Sequence, residues 1–199
     1  DLVPEVVESC ELDSDLEGRA SLGRLTEGER SCLLAQRDGA GSSQTDRSKA
    51  SRALMVDAFG RGSRADQDAL LSHHLERIDQ SDPDLCLRHA MALGRQGRAT
   101  DAIRWADTAL ENRTVWSGST YTRKVATTYK LRAAMAQELW RAKAAVEGDR
   151  EAADRAEAAR ALTKTYAREW LDYARSADLD DREALALCVS AAGNDASCR

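Results

Sequence analysis

Aromatic residues are scarce in this chain. They make up 5% of its 199 residues, with a single phenylalanine, so alanine and leucine have to do the packing. Only two prolines occur, which leaves long helices uninterrupted. No run of alternating β-branched residues exceeds a few positions, and strands are poorly supported. Nothing approaches the roughly 18–20 consecutive apolar residues that cross a bilayer. Histidine is limited to His73, His74 and His89. A di-iron bundle needs Glu three residues before each ligating His, and Leu70, Leu71 and Cys86 stand there instead. No metalloprotease His-Glu motif and no Cys-x-x-Cys pair is found. The segment GAGSSQTD at 39–46 lacks the Gly-Lys-Ser/Thr that a phosphate loop requires. No metal, cofactor or catalytic residue is therefore expected, and the chain reads as a non-enzyme.

What is abundant is charge, at 32% of residues, with a net charge of −5. The arginines are mostly interspersed with Asp and Glu, so they form no cluster able to displace counterions from a nucleic acid. Nucleic acids and anionic membrane surfaces are discounted as partners on that ground. The five cysteines divide by position. Cys86 falls in an apolar helical pattern and reads as a small buried hydrophobe. Cys188 and Cys198 flank a helix end at Gly193, where a bridge would pin the tail. Cys10 and Cys32 could likewise tie the leading segment to the first helix. A start at Asp1 is what removal of a signal peptide would leave. Together these features point to an oxidising, extracytoplasmic location, the bacterial periplasm or the outer-membrane surface given the Ala- and Arg-rich usage.

Start and stop signals place the helices. Thr26 and Glu29 have the spacing of a capping box, which opens a helix to about Arg37 with Cys32, Leu33 and Leu34 on its inner side. Residues 39–46 form a loop. Helices follow at 47–59 and 65–79, the second with Ala69, Leu70, His73 and Ile78 as its packed face. Pro83 closes that unit. Further helices span 85–95 and 100–112, joined by a turn at Gly97, and the pair Ala69-Leu70 recurs as Ala102-Ile103 33 residues on. Two long stretches, 121–146 and 149–176, meet at Gly148 and must run antiparallel. A last helix starts near Asp180 and stops at Gly193. The expected division is an N-terminal segment, 1–46, with one short helix and a loop, then a helical domain, 47–199, with the long hairpin 121–176 and the C-terminal helix 180–193.

Within 94–112, GRQGRATDAIRWADTALEN, Ala102 and Ala109 lie two helical turns apart on one stripe, which Ala90 can face. Methyl-sized groups let two helices approach closely, and Gly97 permits the tight reversal. At these residues the sequence resembles the tetratricopeptide repeat family, best over Leu85 to Asn112. The resemblance puts Ala90 at the small first-helix position, Gly97 at the turn, and Ala102 and Ala109 at the two small second-helix positions. Departures are Cys86, His89 and Leu93 where the family often places large residues, Ala99 for an aromatic, and Trp105 shifted by one place.

The fold this implies is an all-α stack of antiparallel helical hairpins, a TPR-like α-solenoid, with an elongated C-terminal hairpin. Such repeats are scaffolds whose first helices line a groove for a peptide or partner helix. By register, that groove would be lined by Leu87, Arg88, Met91 and Arg95, then Tyr121, Lys124 and Tyr129. The function expected is a protein-binding adaptor of an extracytoplasmic assembly. Its rival is a structural subunit that binds other copies of itself through the 121–176 hairpin, where Trp140, Tyr166, Trp170 and Tyr173 sit. Two clusters favour structural over chemical roles: core lining rather than a reactive thiol for Cys86 and His89, and helix capping rather than calcium binding for Asp178, Asp180, Asp181 and Glu183. Asn112-Arg113-Thr114 is a glycosylation sequon that matters only in a glycosylating source.

Overall fold

The computed structural model describes residues 14–146, 150–193 and 196–198. Among them are nine α-helices and no strand: α1 (Ser14–Ser21), α2 (Glu27–Asp38), α3 (Gln44–Gly60), α4 (Arg64–Arg77), α5 (Pro83–Arg95), α6 (Ala99–Glu111), α7 (Tyr121–Ala144), α8 (Arg150–Ser176) and α9 (Arg182–Ala192). The chain divides into two compact units, one ending at Gln80 and the other starting at Ser81.

In the first unit α3 is central, with α1, α2 and α4 each packed on it. Small residues make this possible: Ala50, Ala53 and Ala58 are buried beside Leu54. The capping box forms as its spacing predicts, with Glu29 N–H donating to Thr26 Oγ1 at 3.2 Å and Thr26 N–H to Glu29 Oε2 at 2.7 Å. Gly23 and Gly60 lie backbone to backbone, and a Cβ built on Gly60 would stand 2.2 Å from the Gly23 nitrogen. Asp57 is fully buried in the last turn of α3. It accepts from Leu25 N–H at 3.2 Å and Arg61 Nε at 2.9 Å, with Arg30 at 3.6 Å, so its charge is compensated.

Three expectations shift here. Helix α3 begins at Gln44, inside the expected loop, because Ser43 caps it by accepting from Asp46 N–H. On α2, Leu33 is buried but Leu34 is exposed. The packed face of α4 is Leu71, His74, Leu75 and Ile78, while Ala69 is exposed. The tandem pairs Leu70-Leu71 and His73-His74 offer two adjacent apolar stripes of nearly equal weight. Tertiary partners decide between them, since Ser51 on α3 sits 3.0 Å from His74 Nδ1. The 33-residue recurrence therefore joins unlike places: Ala102 and Ile103 are buried, Ala69 is not.

In the second unit, Asp82 caps α5 by accepting from Asp84 and Leu85 N–H groups, and Pro83 occupies the first turn, where its missing donor costs nothing. Pro83 thus opens this helix rather than closing the one before it. Gly97 takes φ +74° in the turn to α6. Across the α5–α6 seam Cys86, Ala90, Ala102, Ala106 and Ala109 have no exposed surface. Helix α6 then packs on α7, α7 on α8, and α8 on α9. Tyr173 Oη reaches the Thr122 carbonyl while Arg132 pairs with Glu169, so α7 and α8 run antiparallel. At the far end Cys188 is bonded to Cys198 with Cα atoms 5.8 Å apart, and Arg160 Nε donates to the Ala191 carbonyl at 2.9 Å. Cys32 is also disulfide-bonded, whereas Cys10 lies outside the described residues.

Candidate interaction surface

Helix α5 is enclosed on most of its circumference. Cys86, His89, Ala90 and Leu93 face inward, and Leu87 and Ala92 are buried as well. Only Arg88, Met91 and Arg95 are exposed, at spacings of three and four residues that form one stripe about 10 Å long at ~1.5 Å per residue. Met91, with 40% of its surface accessible, lies between the two arginines along this stripe.

Helix α7 runs beside α5 in the same direction. Lys124 Nζ donates to Asp84 Oδ2 at 2.7 Å near the start of both helices. Further along, a Cβ on Gly94 would stand 3.0 Å from Met135 Sδ, with Leu131 at 3.9 Å. The missing side chain at Gly94 is what admits Met135. Two of the expected contact residues on α7 have internal partners. Lys124 holds Asp84 and has its ammonium 6.0 Å from the Trp116 ring centroid. Tyr129 stacks against Tyr173 at 5.3 Å between centroids. Tyr121 is half-buried at the start of α7. Leu87 is buried, so the accessible part of the α5 set is Arg88, Met91 and Arg95.

Sequence reasoning did not find Arg132. Its side chain is 8% exposed, yet it bridges three helices, donating to Asp107 on α6 at 2.7 Å and to Glu169 on α8. Its guanidinium carbon lies 4.1 Å from the Tyr166 ring centroid and 5.2 Å from that of Tyr129. Burial, then the neighbouring Asp107 charge, pushes the Tyr166 hydroxyl above its ordinary range. The arrangement is a filled aromatic cage, with its cation supplied by the chain itself. The spacings Tyr129–Arg132 and Tyr166–Glu169, each one helical turn, were the available signal.

The residues considered for chemistry have the following surroundings. Cys86 and His89 are both buried, with His89 edge-on to Trp105 at 5.3 Å. Among the described residues, no group of three His, Cys, Asp or Glu is placed to hold a metal. Asp180 is bound by the Arg182 side chain and backbone, which hold its carboxyl down at about 2. Asp181 accepts from Arg175 at 2.8 Å and Glu183 from Lys130 at 2.6 Å. Asn112 Nδ2 donates to the Thr108 carbonyl at 3.0 Å, so the sequon amide serves the end of α6. No helix among the described residues is long and apolar enough to cross a membrane.

Comparison with protein-family models, with curated proteins and with solved structures finds no match to this chain.

Proposed function

We propose that the chain is a non-enzymatic scaffold of TPR-like helical hairpins whose α5–α7 face binds a peptide or helix of a partner protein in an extracytoplasmic assembly. One observation carries this reading: α5 is enclosed except along Arg88, Met91 and Arg95. Arginine and methionine are types enriched at protein interfaces, and an exposed thioether adapts its shape to different ligands. The parallel course of α5 and α7, with α6 packed on both, is consistent with first helices of successive repeats. The Cys188–Cys198 bridge supports an oxidising location.

The self-associating rival relied on aromatics of the long hairpin. Trp170 is buried, Tyr166 and Tyr173 are occupied with Arg132 and Tyr129, and Trp140 is half-buried with the Arg160 guanidinium 5.9 Å from its ring centroid. Those side chains thus find cover within the chain. A photo-crosslinking residue in place of Met91, expressed in the native source, tests the proposed surface. The expected result is a discrete adduct that disappears with Arg95→Glu and does not form from exposed Glu157 on α8. Equal labelling from both positions overturns the reading.

A further inference from the structure

Where the end of α2, the start of α3 and one face of α4 come together, basic groups outnumber acids. Arg37 pairs with its neighbour Asp38 through Nε at 2.8 Å and Nη2 at 2.7 Å. Arg47, near the start of α3, donates from Nε to the Arg37 carbonyl at 2.9 Å, which answers the negative end of α2. From α4, His73 Nε2 lies 3.6 Å from the Asp38 carboxylate, and Arg77 follows one turn later on the same face. Three guanidinium groups and an imidazole thus gather about one carboxylate, whose charge Arg37 already cancels.

The other two arginines are not matched in this way. Among the described residues, neither the Nη groups of Arg47 nor any part of Arg77 meets a carboxylate. Acids beside them on the same helices are engaged elsewhere, Asp46 by Ser43 at 2.6 Å and Glu76 by Ser72 at 3.0 Å. The excess acts on His73: burial, then Arg37, with Arg77 and Arg47 adding to it, outweighs the pull of Asp38 and holds the ring below its ordinary value. His73 Nδ1 is buried with no hydrogen-bond partner, so Nε2 is the nitrogen turned toward Asp38. The junction is open to solvent, since the Asp38 side chain is half-exposed, that of His73 is one-third exposed and Arg77 is exposed.

We infer that this junction binds a doubly charged tetrahedral oxyanion, phosphate or a phosphate monoester, gripped by the unpaired guanidinium ends of Arg47 and Arg77 beside His73. Two unmatched positive charges suit a dianion, whereas one carboxylate would leave half of that charge uncompensated. Guanidinium forks donate in pairs to adjacent oxygens of such an anion. A protonated His73 adds a third charge, so affinity rises as the ring takes up its proton. The groups that set its titration are Arg37 and Asp38 from α2, Arg47 from α3 and Arg77 on α4 itself. The junction belongs to the first unit and the α5 face to the second, so either reading can fail alone.

The test is titration of the full chain with inorganic phosphate at fixed ionic strength, followed by nuclear magnetic resonance of the arginine Nε–H and histidine ring signals. The expected result is saturable shifts at Arg47, Arg77 and His73 and none at the enclosed Arg132. Arg47→Gln and Arg77→Gln, verified as folded by circular dichroism, should each weaken binding by about fivefold or more, and acetate should bind about tenfold more weakly than phosphate. A phosphoserine tripeptide run beside phosphate identifies the source, because the tighter of the two is the form the site takes. Sulfate keeps its double charge between pH 7.5 and 5.5. Its affinity should therefore rise by about threefold or more on acidification in the parent, and not in His73→Gln. Shifts that do not saturate, acetate binding as tightly as phosphate, or arginine variants that bind like the parent overturn the inference.

Discussion

Replacing Ala102 with leucine adds three carbons at a position with no exposed surface, in a seam where Ala90, Ala106 and Ala109 are equally enclosed. If the seam absorbed them, burying three more carbons would stabilise by roughly 2–3 kcal/mol at about 0.8 kcal/mol each. It cannot without parting α5 from α6, since interiors are close-packed and the neighbours are already methyl-sized. The net effect of such overpacking is a loss of about 1–3 kcal/mol. Helix propensity contributes almost nothing, because leucine is nearly as good a helix former as alanine. The same substitution at Ala161, exposed on α8, should change stability by less than about 0.5 kcal/mol.

The assay follows from where the indoles lie. Trp105, Trp116, Trp140 and Trp170 all belong to the second unit, so tryptophan fluorescence in urea reports that unit alone. With a slope of roughly 1–3 kcal/mol per molar, the Ala102→Leu midpoint should fall by about 0.5–2 M. A midpoint unchanged from the parent, or an equal fall in Ala161→Leu, would refute the small-residue seam as the reason these helices meet.

Three further outcomes are expected. Cys198→Ser, which opens a ten-residue separation, should lower the second unit's stability by about 2–3 kcal/mol, read as a lower urea midpoint. Because both sulfur-bearing residues are buried, the native bridge should also resist dithiothreitol until denaturant is added. Gly60→Ala should destabilise the first unit by about 1–3 kcal/mol through backbone collision, whereas Gly28→Ala, open on α2, should stabilise it by up to about 1 kcal/mol. Circular dichroism melts check both signs. His73 is held below its ordinary value of 6.5 by burial, then by Arg37, with Arg77 and Arg47 adding to this and Asp38 opposing it. The unfolded chain therefore takes up that proton first, and stability falls as pH drops through about 6.5. Comparing urea midpoints followed by circular dichroism at pH 7.5 and 5.5 should show a smaller change in His73→Gln than in the parent.

What could be read from the sequence was the local part of this structure. The helix start at Thr26 and the reversal at Gly97 depend on residues within one turn of each other, and the seam depends on a seven-residue repeat of alanine. The side chains that went unread owe their roles to distant partners. Asp57 looks like any exposed acid in α3 until Leu25, 32 residues earlier, presents its amide. Arg132 looks solvated until Asp107 and Glu169, 25 and 37 residues away, enclose it. The face of α4 depended on Ser51. The exposed stripe on α5 differs from these cases. Its spacing was visible, but exposure is a statement about what the rest of the chain leaves uncovered, which periodicity alone does not supply. Only the enclosure of α5 by its neighbours separates Arg88, Met91 and Arg95 from Leu87, and it is on that enclosure that the proposal of a partner-binding stripe rests.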